Sequence, residues 1–201
     1  MTITTFDVPF FGDRILTTVT NSPGYVGDWI WEIEAVHARR LDRLVVGLDI
    51  EWRPTFNRNQ QSQVAILQHC VGRRCLIFQL QHCFYIPLFL SVFLCNPSYT
   101  IVGVGIENDV EKLEKDYGIR AGNVVDLRHL AADSYGMRDL RNAGLKKLCQ
   151  VVLGKEMEKP KHITLGKWDN EELSAEQVEY ACIDDFVSFE IGRNNLIYFK
   201  T

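Results

Sequence analysis

The chain has 201 residues, of which 46% are hydrophobic and 24% are charged. This size and composition are ordinary for one soluble globular domain with a sizeable core. With 22 basic and 26 acidic side chains the formal net charge is −4, whereas a protein that coats duplex nucleic acid is expected to be basic. We expect a single domain over 1–201, with an N-terminal hairpin and helix over 1–42 and a core over 43–201.

The N-terminal segment predicts a hairpin followed by a helix. Thr4–Phe10 and Ile15–Thr20 read as two strands around a glycine turn. Ser22 and Pro23 are the cap and first-turn signals of a helix, whose apolar residues repeat at helical spacing down to about Arg40.

Three strands are predicted next and form an antiparallel meander. They are Leu44–Trp52, Gln63–Cys70 and Cys75–Leu80, with Gly72 in the turn between the last two. The first of these strands is a continuous apolar run and is expected to be buried.

The second half of the chain is predicted to be mainly helical. Its elements in order are a short helix over Pro87–Cys95, a strand over Thr100–Ile106, a helix over Glu107–Tyr117, a strand over Asn123–Asp126, helices over Leu127–Ser134 and Leu140–Leu153, an irregular stretch over Lys155–Asn170, and a last helix after the capping box that Ser174 opens. The fold class is therefore α/β, with a mixed β-sheet flanked by helices.

The six cysteines form no C-x-x-C pair and show no regular spacing. We expect reduced, mostly buried thiols of an intracellular protein. His69-Cys70 and His82-Cys83 do not have zinc-ligand spacing, so core packing is the favoured interpretation. Met1–Arg14 lacks the basic start and apolar core of a signal peptide, and we expect a cytoplasmic location, with the nucleus as a second one.

One stretch, Cys75–Ile106, contains no Asp, Glu, Lys or Arg. Its continuous apolar part is too short to span a bilayer and is interrupted by Pro87, so no membrane partner is expected. Two interpretations remain open, namely a buried core and a surface for self-association.

Carboxylates gather at the ends of predicted elements. Asp49 and Glu51 lie two apart at the end of a strand and therefore share one face. Asp109 follows the next long apolar strand, and Tyr180 and Asp184 are four apart on the last helix, which places them on one side of it. Carboxylates that converge without basic partners repel one another, so this set is interpreted as a cage for hard divalent cations.

Two such ions held about 4 Å apart can activate a water molecule, stabilise a leaving oxygen and clamp a phosphate. A phenol close to them, here Tyr180, can hydrogen-bond the attacking water without competing as a ligand. The pattern thus favours metal-dependent hydrolysis of a phosphate ester.

Gly47–Trp52, Val102–Asp109 and Tyr180–Asp184 resemble the three exonuclease motifs of the DEDDy 3′–5′ exonucleases, in the order and context of that family. Among its members the chain is most similar to Werner-syndrome-type exonuclease domains, in particular the small stand-alone plant versions. The resemblance extends from about Leu44 to Asn195. It implies a ribonuclease H-like (DnaQ-like) exonuclease fold, two Mg²⁺ or Mn²⁺ ions, and hydrolysis that releases nucleoside 5′-monophosphates from a 3′ end.

Carried over residue by residue, the resemblance implies a role for five side chains. Asp49, Glu51, Asp109 and Asp184 resemble the metal ligands, and Tyr180 resembles the tyrosine that positions the nucleophilic water. Asp49 and Asp184 are expected to share the more enclosed ion.

Two further observations refine the resemblance. Glu179 stands where the sister class of the family has histidine, which favours the tyrosine class. The segment Leu165–Leu173 keeps a tryptophan but lacks the arginine-proline usual near it in ribonuclease D-like members, which leaves the substrate contacts open.

We expect an exonuclease that acts on single-stranded nucleic acid, with RNA favoured over DNA on the resemblance alone. The small plant members include the RISC-interacting clearing exonucleases, and similarity to them implies a ring-shaped homo-oligomer, a hexamer, with Argonaute partners. A Werner-type DNA repair exonuclease is the second interpretation. A binding module without activity is the third, although all five motif residues are present.

Basic residues near the motifs could meet phosphates. Isolated basic side chains are usually solvated, however, and none is assigned a role. They are Arg53, Arg58, Lys159, Lys161 and Lys167.

Overall fold

The computed structural model describes residues 1–55 and 61–198, and its centre is a seven-stranded mixed sheet. The strands are β1 (Ile3–Phe10), β2 (Asp13–Thr20), β3 (Leu44–Glu51), β4 (Ile66–Val71), β5 (Arg74–Gln79), β6 (Tyr99–Gly103) and β7 (Val124–Asp126). Their spatial order is β1-β2-β5-β4-β3-β6-β7. Strands β2 and β5, β3 and β6, and β6 and β7 pair in parallel, and the other neighbours are antiparallel.

Helices pack around this sheet. They are α1 (Pro23–Val36), α2 (Leu88–Leu94), α3 (Ile106–Tyr117), α4 (Leu127–Tyr135), α5 (Leu145–Leu148), α6 (Lys161–Thr164) and α7 (Ala175–Tyr198). Helix α7 contacts β3, β4, β5 and β6. The predicted mixed α/β fold is confirmed.

The predicted N-terminal hairpin is part of the main sheet. Strand β2 adds in parallel to the edge strand of the predicted meander, with Leu16 opposite Arg74. Helix α1 begins as predicted, since the Ser22 side chain caps it by accepting a hydrogen bond from the Tyr25 N–H. It ends at Val36, and a 3₁₀ segment over Ala38–Arg43 leads into β3.

The continuous helix predicted over Leu140–Leu153 is wrong. The structure has a 3₁₀ segment over Arg138–Asn142, then α5, then a π-helical turn over Cys149–Leu153. Gly144 adopts an extended backbone, with φ −80° and ψ 168°, and thereby restarts the helix at Leu145. Apolar residues are spaced as in a helix on both sides of Gly144, so the spacing alone does not predict the break.

The expectation of six reduced cysteines is wrong for one pair. Cys70 on β4 and Cys75 on β5 are direct cross-strand neighbours, with Cα atoms 4.2 Å apart, and they form a disulfide. The two cysteines are five positions apart along the chain, and the turn at Gly72 reverses the strand so that both sulfurs reach the same face. Cys83, Cys95, Cys149 and Cys182 are free thiols.

The uncharged stretch Cys75–Ile106 is divided between the core and the surface. Strands β5 and β6 are buried. One face of α2 packs into the core through Leu90, Phe93 and Leu94. The other side of the same region is exposed to solvent, as described below. Within the described ranges, none of the helices is both long and apolar enough to cross a membrane.

Candidate active site

The five residues that the sequence singles out line one cleft of about 400 Å³. They come from three elements, β3, α3 and α7, which meet at the carboxyl end of β3. The cleft is further lined by apolar and basic side chains, namely Trp52, Val104, Leu145, Lys146 and Lys159. The convergence expected from the sequence is therefore present in the fold.

Strand β3 supplies two carboxylates to the cleft. Asp49 and Glu51 pair with Gln68 and Ile66 of β4, whereas the pairing of β3 with β6 ends at Gly47. The Asp49 carboxylate also accepts a hydrogen bond from the Ile50 N–H at 2.9 Å. These two side chains therefore project from the carboxyl end of β3, where β4 holds the strand in register.

Helix α3 supplies Asp109 from its first turn. The turn that leads into this helix is built on Gly105, whose φ of 71° suits glycine and strains other residues. The Gly105 N–H donates to the buried Asp126 carboxylate at 2.9 Å, and Arg128 also pairs with Asp126 at 2.6 Å. Asp126 thereby fixes the start of α3 and, through it, the position of Asp109.

Helix α7 supplies Asp184 and Tyr180, which are separated by one helical turn. The helix lies directly on β3, because a Cβ atom at Gly47 would come within 2.5 Å of the Asp185 carbonyl oxygen. Tyr180 is 8% exposed, and its ring packs against the fully buried Trp168 with ring centroids 5.9 Å apart. Close contact with the sheet thus places Asp184 beside Asp49.

The carboxylates of the cleft perturb one another. Burial, and after it the charge of Asp184, raises the pKa of Asp49 to about 7. Burial and the charges of Asp49 and Asp184 raise the pKa of Glu51 to about 9. Burial, and after it Asp49, raises the pKa of Asp109 to about 8. Such shifts are expected when several carboxylates share a site that is poor in counter-charge.

One basic side chain enters the acidic cluster. The Lys159 ammonium forms an ion pair with Oδ2 of Asp184 and lies 5.5 Å from the centre of the Tyr180 ring. Burial lowers the pKa of Lys159, but the charge of Asp184 and the hydrogen bond to it outweigh burial, so the net shift is upward. Lys159 is therefore a charged ammonium within the cleft.

The residues present fit hard divalent cations. All four carboxylates offer oxygen donors, the ligand type that Mg²⁺ and Mn²⁺ prefer. Oδ1 of Asp184 is buried and has no hydrogen-bond partner among the described residues. A buried carboxylate oxygen of this kind is expected to bind a cation or a water molecule.

Sequence reasoning missed three residues of the site. On the sequence, Lys159 is one of several basic residues expected to be solvated, because the irregular segment that carries it has no periodicity that places its side chain. The sequence identifies Asp126 only as the end of a predicted strand and Gly47 only as the first residue of a motif. The one sequence signal for Gly47 is its position in an apolar run that ends in carboxylates.

The other basic residues near the motifs differ in position. Arg53 pairs with Asp169 at 3.1 Å and does not line the cleft. Lys161 and Lys167 are exposed. Arg58 lies outside the described residues.

Comparison with known proteins agrees with this geometry. A family model described as 3′–5′ exonuclease matches residues 27–194. The chain is 36% identical over 149 residues to a 3′–5′ exonuclease of Arabidopsis thaliana, covering 73% of this chain and 50% of that protein. It is 33% identical over 159 residues to the bifunctional 3′–5′ exonuclease/ATP-dependent helicase WRN of Mus musculus, covering 79% of this chain and 11% of that protein. The chain thus spans half or less of the length of these relatives.

Solved structures show the same fold. The crystal structure of Escherichia coli RNase D matches with a TM-score of 0.73 at 17% identity, over 89% of this chain and 44% of that one. The EXD2 exonuclease domain soaked in Mn and GMP matches with a TM-score of 0.52 at 24% identity, over 92% of this chain and 91% of that one. The fold is therefore ribonuclease H-like, as expected. Since the family model covers most of the chain and both of the relatives named above exceed 30% identity, the chain belongs to the 3′–5′ exonuclease domain family.

Proposed function

We propose that this chain is a two-metal 3′–5′ exonuclease that removes nucleoside 5′-monophosphates from single-stranded nucleic acid, with RNA preferred over DNA. The observation that carries the proposal is the meeting of Asp49, Glu51, Asp109 and Asp184 in one cleft, with a buried and unpartnered Asp184 oxygen. The RNA preference is supported by the resemblance to small plant members that process RNA.

The residues of the cleft have separate tasks in this proposal. Asp49 and Asp184 would hold the more enclosed ion, and Glu51 and Asp109 would supply further oxygen ligands to the pair of ions. Bound ions of this type lower the pKa of water and stabilise the oxygen that leaves phosphorus. Tyr180 orients the attacking water through its hydroxyl group.

Hydrolysis needs little else from the protein. The water oxygen bonds to phosphorus, the bond from phosphorus to the 3′ oxygen of the preceding nucleotide breaks, and that oxygen takes up a proton. The products are a nucleoside 5′-monophosphate and a strand with a new 3′ hydroxyl. Most of the catalysis is then positioning and charge stabilisation.

The walls of the cleft favour a single strand. Trp52 is 37% exposed and stands beside the carboxylates together with Val104 and Leu145. An unpaired base can stack on such apolar and aromatic surfaces, whereas a base within a duplex cannot. Lys146, which lines the same cleft, can meet a phosphate of the strand.

The test compares 5′-labelled RNA, the same sequence in DNA, and a recessed duplex, each with Mg²⁺, Mn²⁺ or chelator. We expect a ladder of 3′-shortened products from single strands with either metal, faster for RNA, and none with chelator or with Asp49→Asn. Faster cleavage of the recessed DNA duplex would favour the Werner-type alternative, which the 33% identity to mouse WRN supports. Full-length strands under every condition would refute catalysis.

We also propose that the chain self-associates through an apolar surface formed by α1, α2 and the loop before α2. Its side chains are exposed, at 80% for Phe84, 78% for Leu88, 74% for Trp31 and 62% for Val92. Helix α2 packs on α1 at Gly27, and Trp31 lies one turn further along the same side of α1. Exposed apolar surface of this extent is typical of protein interfaces.

Light scattering after gel filtration tests the self-association. We expect the wild-type chain to be an oligomer and Leu88→Glu to be smaller, while Leu165→Glu, at an equally apolar position that is 59% exposed elsewhere, keeps the wild-type mass. A monomeric wild-type chain would refute it. Binding to Argonaute proteins, which the resemblance suggests, is tested by pull-down with the purified proteins.

A further inference from the structure

We propose that Lys159 is a built-in counter-ion that occupies Asp184 when no metal is bound and that a divalent cation must displace to load the site. The inference rests on the proposed function, since it assumes that the acidic cleft binds a divalent cation. It concerns the state that precedes catalysis, in which four carboxylates have to be kept together without metal.

The Lys159 ammonium lies at the most buried carboxylate of the cleft. It pairs with Oδ2 of Asp184, the most deeply buried carboxylate of the cluster, whose side chain is 2% exposed. It also lies over the Tyr180 ring, where an ammonium is attracted to the electron-rich face. Electrostatically it opposes the repulsion within the cluster, because it stabilises the charged forms of Asp49 and Glu51.

The pairing is incomplete in a way that a metal ion can complete. Lys159 satisfies one oxygen of Asp184, and Oδ1 has no partner among the described residues. One ammonium also pairs directly with only one of the four carboxylates of the cleft. A divalent cation carries twice the charge and takes several oxygen ligands at once, so it is the stronger partner for the same group.

The position of Lys159 in the chain permits displacement. It lies in the segment between the π-helical turn and α6, outside any helix or strand, and Pro160 follows it as the cap of α6. Its side chain is 32% exposed and rests on a flexible four-carbon stem. The ammonium can therefore leave Asp184 toward solvent without any change in the packed core.

Lys146 provides a matched control. It lines the same cleft, but its ammonium pairs with the exposed Glu158 at 3.2 Å. Lys146→Met removes the same formal charge from the cleft as Lys159→Met without touching the paired carboxylate. Lys159→Arg keeps the charge at the position.

Manganese affinity, measured by electron paramagnetic resonance of the free ion, tests the displacement. Loss of the competing ammonium should tighten Mn²⁺ binding in Lys159→Met by about tenfold, whereas Lys146→Met and Lys159→Arg should stay near wild type. A lysine with a purely structural role would weaken binding or leave it unchanged when removed. Equal or weaker binding in Lys159→Met would therefore overturn the proposal.

The wild-type protein gives a second test that does not depend on a variant folding. Reductive methylation followed by mass spectrometry should modify Lys159 slowly in chelator and several-fold faster with Mn²⁺, while Lys146 reacts at the same rate in both conditions. Unchanged or slower modification of Lys159 with metal would refute displacement. If the wild-type chain binds no Mn²⁺ at all, the proposed function itself fails, and that outcome is distinct from metal binding without displacement.

Discussion

Gly47 on β3 and Asp185 on α7 are in direct backbone contact. A Cβ atom at Gly47 would lie 2.5 Å from the Asp185 carbonyl oxygen and 3.2 Å from the Phe189 N atom. These two atoms belong to the backbone, which cannot swing away as a side chain can, and the Asp185 Oδ1 atom would also lie 2.8 Å from the Cβ. The absence of a side chain at Gly47 thus lets α7 lie close enough to β3 for Asp184 to join Asp49.

We expect Gly47→Ala to lower the free energy of unfolding by about 2–3 kcal/mol, because the added methyl group forces α7 away from the sheet. Metal affinity should fall with it, since Asp184 moves with α7. Urea unfolding and Mn²⁺ titration measure the two effects. Gly24→Ala is the control, since the nearest atom to a Cβ there is 3.9 Å away and the position lies in α1. Unchanged stability of Gly47→Ala would contradict the close contact.

Asp185 is predicted to be replaceable with a gain in stability. Both of its carboxyl oxygens are buried without a hydrogen-bond partner among the described residues, and the sulfurs of Cys70 and Cys75 lie within 4.8 Å of one of them. An unsatisfied buried polar group costs about 1–3 kcal/mol, so Asp185→Ala should raise the free energy of unfolding within that range.

The measurement is urea unfolding in chelator and without reductant, so that the disulfide and the metal-free state are the same in every sample. Asp133→Ala is the control, because Asp133 is exposed and its ion pair with Arg141 at 2.7 Å contributes little. Destabilisation by Asp185→Ala would show that the carboxyl group has a partner in solution.

Much of the sheet follows from the sequence, because alternating or continuous apolar runs between turn residues are a local signal. Strands β1 to β7 lie within a few residues of their predicted bounds. The capping box also forms as predicted, with Ser174 N–H donating to Gln177 Oε1 and Gln177 N–H donating to Ser174 Oγ. Asp49 and Glu51 share a face for the same local reason, the two-residue period of a strand.

What the sequence could not supply depends on contacts between distant segments. The disulfide follows from the register of β4 against β5, which decides that Cys70 faces Cys75. The Lys159 ion pair depends on the path of an irregular segment that no periodicity describes. The unpartnered state of Asp185 is equally non-local, since on the sequence it is simply a neighbour of Asp184.

Asp126 is predicted to support activity from outside the cleft. Its carboxylate accepts from the Gly105 N–H and pairs with Arg128, and the resulting turn starts α3. Asp126→Ala should lower the free energy of unfolding by about 2 kcal/mol because the partly buried Gly105 N–H loses its partner. It should also slow cleavage roughly tenfold to a hundredfold, because Asp109 loses its position.

Steady-state cleavage and urea unfolding test this pair of effects. Asp126→Asn can still accept from Gly105 and should recover most of the activity, although it loses the charge opposite Arg128. Full activity of Asp126→Ala would show that α3 is held by other contacts.

The metal-free protein is predicted to lose stability as pH rises. The pKa values of Asp49, Asp109 and Glu51 in the folded state are about 7, about 8 and about 9, against ordinary values of 3.8 for aspartate and 4.5 for glutamate. At pH values between the ordinary pKa and the folded-state pKa of each group, the folded state holds protons that the unfolded state has released. The free energy of unfolding therefore falls as pH rises through this range. The stabilisation from these three protonated carboxyl groups is fully present below their ordinary pKa values. It is lost as pH rises through their pKa values in the folded state.

Urea unfolding in chelator at about pH 6 and about pH 9 measures this decline. With saturating Mn²⁺ the trend should weaken or reverse, because metal binding requires deprotonated ligands. Asp109→Asn removes one of the three groups and should reduce the decline in chelator, while it abolishes cleavage. Stability that is flat or rises with pH in the chelated wild-type protein would contradict the assigned pKa shifts.

The hydroxyl group of Tyr180 is predicted to contribute to the rate of cleavage and not to metal affinity. Burial, and after it the charges of Asp184 and Glu51, raises the pKa of its phenol, so the hydroxyl stays neutral and can orient a water molecule by hydrogen bonding. Tyr180→Phe keeps the ring that packs against Trp168 and removes only the hydroxyl group. Turnover should fall about a hundredfold, while Mn²⁺ affinity and thermal stability stay near wild type. Tyr135→Phe, at a position that is 46% exposed on α4, should leave all three unchanged. Equal losses of turnover and metal affinity in Tyr180→Phe would instead identify the hydroxyl group as part of the metal site.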